Sequence, residues 1–451
     1  MVLLEEINAL MHLKRFAQIK ELVSNENPAD IAVLFDELFG EDYNERAEFM
    51  ILFRLLPKDM AAETFTYMNA DMQQYLIEAF SDKELREMLS QSFIDDTVDI
   101  IEEMPANVVS RILKNSTTGA RKAINEILQY PRDSAGSIMT IEYVSLHKDM
   151  TVEEAFAKIR RVGVNKETIY TAYVTENRKL IGMVTVKDLF IAGEDDKIGD
   201  IMETNLIYVD THEDKEIVAH KFRKYDFLAM PVVDKDMRLV GIVTFDDVMD
   251  VIQEENTEDV TKMAAISPNE QEYFKTGVFR HALSRIGWLL FLMISATITQ
   301  FIINKYSHAF EVIPILVSFM PMLMDTGGNC GAQSSTMIIR SIALDEIHFS
   351  DFFKVVFKEF RISIIVSSIL AVVNGLRIYI MYDQNFMLSS TIAISIIVTV
   401  IISKLIGSAL PMLAKKCRLD PALMAAPLIT TIVDSCSIFI YFNIAIYMLN
   451  I

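Results

Sequence analysis

Cysteine is scarce in this chain of 451 residues: there are three, at positions 330, 417 and 436, and no two of them have CxxC spacing. The sequence therefore indicates neither a disulfide framework nor a zinc site. The seven histidines form no HExxH motif, and the chain has no G-x-S-x-G or Walker loop and no recognisable nucleophile–base pair. We therefore expect that the protein is not an enzyme.

Basic residues are also in short supply, with 42 against 62 acidic residues and a formal net charge of −20. The acidic excess lies in residues 1–276, which have 30 basic and 53 acidic residues; residues 277–451 have 12 and 9 and are mostly apolar. An acidic, water-facing region of this size repels phosphates, so we exclude nucleic acid and favour cationic partners. Because the first residues lack the apolar run of a secretory signal, we expect a cytoplasmic N-terminus.

The apolar half predicts five membrane spans of about 20 residues or more, the length that a bilayer requires. They are residues 286–304, 312–342, 362–381, 388–413 and 421–449. With the N-terminus inside, most lysines and arginines of this half fall on the cytoplasmic side, as the positive-inside rule requires. We therefore expect a multi-pass protein of the cell (inner) membrane, with its C-terminus outside.

Asp434 lies near the middle of the last span. A carboxylate there is costly to insert, so it usually faces a water-filled path or a cation. The alternative is a protonated side chain that is hydrogen-bonded to a neighbouring helix. Lys404, in the fourth span, is expected to snorkel or to pack between helices, because a cation facing the path would oppose cation passage.

The second span contains the run Asp325-Thr-Gly-Gly-Asn-Cys-Gly-Ala-Gln333. Glycines and polar side chains are poorly tolerated against lipid, which predicts irregular backbone lining an aqueous path. The alternative is close helix packing through small residues. The pore-lining candidates from this run are Gly327, Gly328, Asn329, Gly331 and Gln333.

An internal repeat covers residues 137–252. Leu180-Ile-Gly-Met-Val-Thr-Val-Lys-Asp188 recurs as Leu239-Val-Gly-Ile-Val-Thr-Phe-Asp-Asp247, which predicts two α/β units packed together. The pair resembles CBS domains, regulatory modules in which this aspartate often meets a nucleotide ribose. The resemblance implies an ATP site at Tyr170, Lys187, Asp188 and Phe227, although the two aromatic residues could instead belong to the core. Lys187 stands where relatives have Arg, which replaces a flat guanidinium with a point charge.

Acidic residues follow the second copy at helical spacing, from Asp246 and Asp250 to Glu254 and Glu258. Like charges four residues apart repel one another on a helix, and a shared cation would relieve that repulsion. The alternative is a solvated acidic face.

The order of these parts resembles the MgtE family of magnesium channels over nearly the whole chain. The specific motifs are Gly327-Gly-Asn-Cys-Gly-Ala-Gln333 and Asp420-Pro-Ala-Leu, followed by Pro-Leu-Ile-Thr-Thr-Ile-Val-Asp434. The resemblance implies a homodimer that binds hydrated magnesium at Asp434 and is closed by cytosolic magnesium. It also implies further magnesium sites at Glu63, Asp95, Asp99, Asp214, Glu216, Asp226, Asp247, Asp250, Glu255, Glu258, Asp259 and Asp420.

The expected fold is thus a multidomain α + α/β membrane protein. It consists of an acidic helical N-domain (1–130), a first CBS domain (131–200), a second CBS domain (201–252), a connecting helix (253–276) and a transmembrane domain with five helices (277–451). Magnesium suits a site with few carboxylates because it retains several of its waters. The alternative function is an ion-coupled secondary transporter of divalent cations (Mg²⁺, Co²⁺ or Mn²⁺), although the sequence offers neither a second ionisable relay residue beside Asp434 nor an inverted repeat.

Overall fold

The computed structural model describes residues 2–39, 46–268, 273, 276–382, 385–424 and 426–450. These residues fall into two compact units, Met1–Ile252 and Gln253–Ile451.

The first unit begins with short helices joined by tight turns, and residues 2–39 and 46–127 contain no strand. Polar caps define several of the helix starts: the Ser81 side chain and Glu84 form a capping box, and Asn69 accepts from the backbone of Met72. The helices are α1 (Val2–His12), α2 (Phe16–Val23), α3 (Pro28–Phe39), α4 (Arg46–Phe53), α5 (Lys58–Thr66), α6 (Ala70–Ala79), α7 (Asp82–Leu89), α8 (Ile94–Glu103), α9 (Ala106–Asn115) and α10 (Thr118–Ile127). The predicted helical N-domain is confirmed.

Two three-stranded sheets follow, with the same strand order and the same directions, as the repeat predicts. In each sheet the first strand is parallel to the second, and the second is antiparallel to the third. The first copy contains β1 (Val144–Leu146), α11 (Val152–Val162), β2 (Thr171–Glu176), β3 (Lys179–Thr185) and α12 (Val186–Ile191). The second contains α13 (Ile198–Ile201), β4 (Val209–Asp210), α14 (Lys215–Tyr225), β5 (Ala229–Val233), β6 (Leu239–Thr244) and α15 (Phe245–Met263).

One hydrophobic core joins the N-terminal helices to the second copy, where Phe222, Val243 and Val248 pack with residues of α3 to α10. The first copy has its own core around Val144, Leu146 and Ala155. This packing places the acidic start of α15 in the same unit as α8.

The second unit consists mainly of long apolar helices. The long helices are α16 (Val278–Lys305), α18 (Met320–Ala343), α19 (Phe352–Met381), α20 (Phe386–Lys416) and α21 (Ala426–Leu449), and a short helix, α17 (Ser307–Val312), follows α16. Within the described residues, four stretches are long and apolar enough to cross a membrane: Val278–Lys305, Phe349–Met381, Phe386–Lys416 and Pro421–Leu449.

The predicted count of five spans is therefore not exact, and α18 is the reason. Its 24 residues are long enough for a span, but glycines and polar side chains lower its hydropathy. It packs closely against α20 and α21. Its sequence is that of a helix held within a protein bundle rather than surrounded by lipid.

Candidate cation-binding sites

Asp434 lies on α21 and is half-buried. It borders a cavity of about 300 Å³ between α16, α18 and α21. The cavity is lined by Ala296, Thr299, Gln300, Ile303, Met324, Thr431 and Asp434. The carboxylate therefore faces an open space.

The backbone around Asp434 is organised by short polar bonds. Thr430 and Thr431 both donate their hydroxyls to the carbonyl of Pro427, at 3.0 and 2.9 Å. Thr299, which lines the cavity from α16, shares a hydrogen bond of 2.7 Å with Ser435, the residue after Asp434. The bond between Thr299 and Ser435 holds α16 against α21 beside the carboxylate, whereas the two bonds to Pro427 lie within α21.

The facing surface of α18 is bare at Gly328. A Cβ at that position would lie 3.7 Å from Asp434 Oδ1 and 3.1 Å from Thr430 Cγ2. Any side chain larger than alanine would compete with the carboxylate for space, so glycine keeps the approach to Asp434 open.

The other glycines of this run are buried in helix contacts. At Gly327 a Cβ would lie 2.7 Å from Ser437 Oγ, and at Gly331 it would lie 2.9 Å from Ile429 Cγ2. The backbone of α18 is helical throughout, so the predicted irregular backbone is wrong. Small-residue packing, the alternative, explains Gly327 and Gly331 because it lets α20 and α21 approach the α18 backbone closely.

The polar residues of the run lie on one exposed face of α18. Asp325, Asn329 and Gln333 follow one another at four-residue spacing, and all three are exposed in the single chain. Asn329 Nδ2 donates to Asp325 Oδ1 at 3.1 Å. This face forms a polar stripe on a helix of the membrane unit.

Asp325 is the residue that the sequence reasoning passed over. It lies close enough to Asp434 for the two charges to interact, so the expectation that no second ionisable residue accompanies Asp434 is wrong. The signal was present, because Asp325 opens the glycine-rich run.

A second acidic site lies in the first unit, around Asp95 on α8. Asp95 is buried, and its Oδ1 has no hydrogen-bond partner among the described residues. Burial, followed by the charges of Asp247, Asp96, Glu167 and Glu142, raises the pKa of Asp95 well above its usual range. Asp95 and Asp247, which the resemblance assigned to magnesium, are thus brought together.

The same effect acts on the neighbouring carboxyl groups. Burial, opposed by the hydrogen bond from Thr244 and assisted by Asp246, raises the pKa of Asp247 to about 7. Burial and nearby acids raise the pKa of Glu167 to about 8 and that of Asp96 to about 6. Glu167 Oε2 has no partner among the described residues either. We call Asp95, Asp96, Glu142, Glu167, Asp246 and Asp247 the acidic cluster.

The other predicted residues of this region lie around the acidic cluster. Glu63 is exposed on α5. Its charge acts on Tyr67, whose pKa is raised first by burial and then by the charges of Glu63, Asp96 and Asp246. Asp99 and Asp250 are exposed on α8 and α15, one turn beyond Asp95 and near Asp247 respectively. The positions of these acids agree with a region that attracts cations.

Asp214, Glu216 and Asp226 are all exposed, and two of them have structural roles at the ends of α14. Asp214 accepts from the backbone of Glu216 at 2.8 Å, and Asp226 ends the helix in the left-handed conformation with φ 53°. Glu216 lies 4.0 Å from His220. Among the described residues, the three carboxylates do not converge on one point.

A third site lies at the end of α15, in the second unit. Lys262 Nζ is 2.5 Å from Glu258 Oε1 and 2.6 Å from Asp420 Oδ2. Burial lowers the pKa of Lys262, but the hydrogen bonds to Asp420 and Glu258 outweigh it and raise the pKa. An ammonium therefore lies between two predicted magnesium ligands. Glu255 and Asp259 are half-buried on the same helix.

Asp420 has a further role as a cap. Its Oδ1 accepts from the backbone of Ala422 at 2.8 Å, as its predicted position before Pro421 requires. Nearby, Ser335 Oγ of α18 donates to the carbonyl of Met424 at 2.7 Å.

Among the described residues, no group of three or more His, Cys, Asp or Glu side chains is close enough to hold a bare metal ion. Any cation bound at these acids would keep much of its water.

The predicted nucleotide residues divide between the two sheets. Val186 donates its backbone N–H to the carbonyl of Tyr170, which places Tyr170 beside Lys187 and Asp188. Asp188 accepts from the Thr185 hydroxyl at 2.6 Å. Phe227 lies at the equivalent edge of the second copy, where Phe245 donates to the carbonyl of Leu228, and it packs against the core of that copy.

Comparison with known proteins identifies the family. A family model described as a divalent cation transporter, MgtE, matches residues 320–444; a model of the MgtE intracellular N domain matches residues 26–133, and the CBS domain model matches residues 135–195 and 198–254. The magnesium transporter MgtE of Thermus thermophilus is 33% identical over 437 residues, which cover 96% of this chain and 95% of that protein. The chain belongs to the MgtE family.

Two further known proteins are similar to this chain. The magnesium transporter MgtE of Bacillus subtilis is 30% identical over 444 residues, covering 98% of this chain and 96% of that protein. The crystal structure of the soluble part of a magnesium transporter is 28% identical, with a TM-score of 0.51, and covers 56% of this chain and 98% of that one. The MgtE transporter model begins at α18 and ends within α21, so it includes the glycine run and Asp434.

Proposed function

We propose that this protein carries Mg²⁺ across the cell membrane along a path beside Asp434. The observation that supports this most is the cavity of about 300 Å³ that the Asp434 carboxylate borders. Because each water occupies about 30 Å³ of liquid, the cavity has room for roughly ten waters. It can therefore take Mg²⁺ with its six waters, held through one carboxylate.

The proposed path is completed by a second copy of the chain. Asp325, Asn329 and Gln333 form a polar stripe that is exposed in the single chain, and lipid does not tolerate such a face. We propose a homodimer in which the two stripes face each other across water. In this arrangement the N-terminus is cytoplasmic and the C-terminus is outside, as the distribution of basic residues favours.

Magnesium flux into liposomes that contain the purified protein tests this proposal. Asp434→Ala is expected to abolish flux while leaving the protein folded, and Asp434→Asn to keep the shape but lose most of the divalent preference. Glu346→Ala, which removes an exposed carboxylate between α18 and α19, is the matched control and should transport normally. Undiminished flux through well-folded Asp434→Ala protein would contradict the proposal.

The same assay separates a channel from a carrier. We propose a channel, so flux should persist when no proton or sodium gradient is imposed. The alternative, an ion-coupled secondary transporter of divalent cations, gains support from Asp325, which gives Asp434 an ionisable neighbour. Flux that requires a proton or sodium gradient would favour that alternative.

We further propose that cytosolic Mg²⁺ closes the path. The acidic cluster contains buried carboxylates with unpartnered oxygens, and bound cations would offset their mutual repulsion. A state in which these acids lie close together binds Mg²⁺ better than one in which they are apart. Rising Mg²⁺ therefore shifts the population towards the compact, closed state.

Neutralising Asp247, Asp250 and Glu255 together tests this regulation. In the triple variant, Mg²⁺ should no longer bind the compact state better than the separated one. The dependence of flux on cytosolic Mg²⁺ should therefore become flat. If the path of the variant closed at the same Mg²⁺ concentration and with the same steepness as that of the wild type, these three acids of α15 would have no part in closing it.

The control changes the same number of charges elsewhere. Glu5, Glu6 and Glu21 are exposed on α1 and α2, and their joint neutralisation should leave the Mg²⁺ dependence unchanged. A matching effect in both triple variants would show that net charge alone is responsible.

The edge of the first CBS copy suits an adenine nucleotide, and we propose ATP as its ligand. Tyr170 is 64% exposed and can stack on a base, while Lys187 and Asp188 are exposed beside it. Isothermal titration with ATP should show binding that Tyr170→Ala weakens. Equal affinity in both proteins would remove Tyr170 from the site.

A further inference from the structure

Three polar side chains from three helices meet inside the second unit, away from the residues that line the Asp434 cavity. Lys404 on α20 is 5% exposed, and Ser334 on α18 is 2% exposed. The Ser334 hydroxyl donates to Glu359 Oε2 of α19 at 2.7 Å and accepts from Lys404 Nζ at 3.2 Å. Lys404 Nζ lies 4.0 Å from the same Glu359 oxygen. We call these residues the Ser334 triad.

The triad confirms that Lys404 packs between helices. A buried ion pair contributes little net stability, because removing two charges from water costs about as much as their attraction returns. Its best-attested use is to specify one arrangement of neighbouring elements. The element here is α18, since both charges bind its Ser334.

The position of Ser334 along α18 ties the triad to the polar stripe. Ser334 directly follows Gln333, and successive residues of a helix are about 100° apart around its axis. A rotation of α18 that satisfies Ser334 therefore also fixes the direction in which Gln333 and Asn329 point.

Glycine contacts fix the distance between α18 and α20. A Cβ at Gly407 of α20 would overlap the backbone of Gly331, one turn before Ser334. The two helices are thus in backbone contact there. The glycines set how close α18 lies to α20, and the Ser334 bonds select its rotation.

We propose that Glu359, Ser334 and Lys404 are positioning residues that orient Asn329 and Gln333 towards the water shell of the transported cation and so set the preference for Mg²⁺. The inference rests on the proposed function, in which the polar stripe lines the path. Mg²⁺ holds its waters in a near-ideal octahedron, so hydrogen-bonding groups displaced by a rotation of α18 would favour less demanding cations.

The first variants remove one charge each. Lys404→Met and Glu359→Gln, reconstituted in liposomes, should reduce the ratio of Mg²⁺ to Co²⁺ flux by roughly tenfold, the lower end of the effect of removing groups that orient metal-binding residues. Lys354→Met is the matched control, because Lys354 forms an exposed pair with Asp351 at 2.8 Å near the start of α19. It should leave the flux ratio unchanged.

Two double variants keep the test decisive if a single variant fails to fold. Lys404→Met/Glu359→Gln removes both charges and should fold like the wild type, as judged by thermal unfolding in detergent, yet retain the altered flux ratio. Lys404→Glu/Glu359→Lys restores an ion pair and should restore the ratio. A folded neutral double variant with the wild-type ratio would overturn the inference, since packing alone would then orient α18.

Asp434→Ala measured in parallel separates this inference from the proposed function. If Asp434→Ala abolishes flux and the folded triad variants keep the wild-type ratio, only the positioning role fails. If Asp434→Ala transports normally, the path itself is misassigned and the inference falls with it.

Discussion

Replacing Asp247 with asparagine should stabilise the first unit when no divalent cation is present. Burial raises the pKa of Asp247 from 3.8 to about 7, and this difference corresponds to about 4 kcal/mol of unfavourable free energy for the ionised form. The variant keeps an oxygen that can accept from Thr244, whose hydroxyl donates to Asp247 at 2.5 Å, but it replaces a charged acceptor with a neutral one, at a cost of about 1 kcal/mol. The net expected gain at pH 8 is about 3 kcal/mol.

The assay is scanning calorimetry of the full chain in detergent with EDTA at pH 8. For a unit of this size, 1 kcal/mol shifts the transition by about 2 to 4 °C, so the transition of the first unit should rise by about 6 to 12 °C. Asp149→Asn, at an exposed position of the same unit, is the control and should shift it little. If the transition temperature of Asp247→Asn did not rise, the unfavourable free energy assigned to the ionised Asp247 side chain would be refuted.

The wild-type protein should show the corresponding dependence on pH. The folded-state pKa values of Asp96, Asp247 and Glu167 are about 6, 7 and 8, above the values near 4 of the unfolded chain. The folded state therefore binds more protons, and its stability falls as pH rises from about 4 to about 8. Added Mg²⁺ should raise the transition at pH 8 much more than at pH 5, and equal effects at both would contradict the cation role.

Three further predictions concern single residues. Lys262→Met should let Mg²⁺ bind between Glu258 and Asp420 at a lower concentration, because the lysine ammonium no longer lies there. In the flux assay the path should then close at lower cytosolic Mg²⁺. Closure at an unchanged concentration would mean that the ammonium does not compete with Mg²⁺ at this site. Gly407→Ala should lower the free energy of unfolding of the second unit by roughly 1 to 3 kcal/mol, because the added Cβ would overlap the α18 backbone. Thermal unfolding in detergent measures this, and an unchanged transition would disprove the close contact. Gly328→Val should reduce magnesium flux in liposomes without unfolding the protein, since a branched side chain would fill the approach to Asp434, and normal flux would show that cations pass elsewhere.

Much of the fold could be predicted because it depends on local patterns. The paired Gly-x-Val-Thr-x-x-Asp motifs have a local cause: the threonine donates to the aspartate three residues later in both copies. Apolar runs likewise predicted four of the spans. The fifth predicted span covers α18, which is not among the four apolar stretches because its glycines and polar residues lower its hydropathy.

The acidic cluster could be predicted only in part. Asp247 and its neighbours on α15 form a visible charge pattern, but Glu142 and Glu167 come from the first CBS copy and Asp95 from α8. No local spacing connects these segments, because the fold alone brings them together. The same holds for Ser334, Glu359 and Lys404, whose partners are separated by at least 25 positions in the sequence.

The bond between Thr244 and Asp247 makes the first turn of α15 depend on the charge of the acidic cluster. The carboxylate caps the turn as an acceptor, and it accepts best when ionised. Its surroundings, however, favour the neutral form in the absence of a counter-ion. A cation that restores the ionised form therefore also tightens the cap, and its departure leaves the first turn freer to fray. If Mg²⁺ binds the acidic cluster as proposed, helix nucleation and ion occupancy are coupled through this one side chain, and the helical length of α15 should change with the Mg²⁺ concentration.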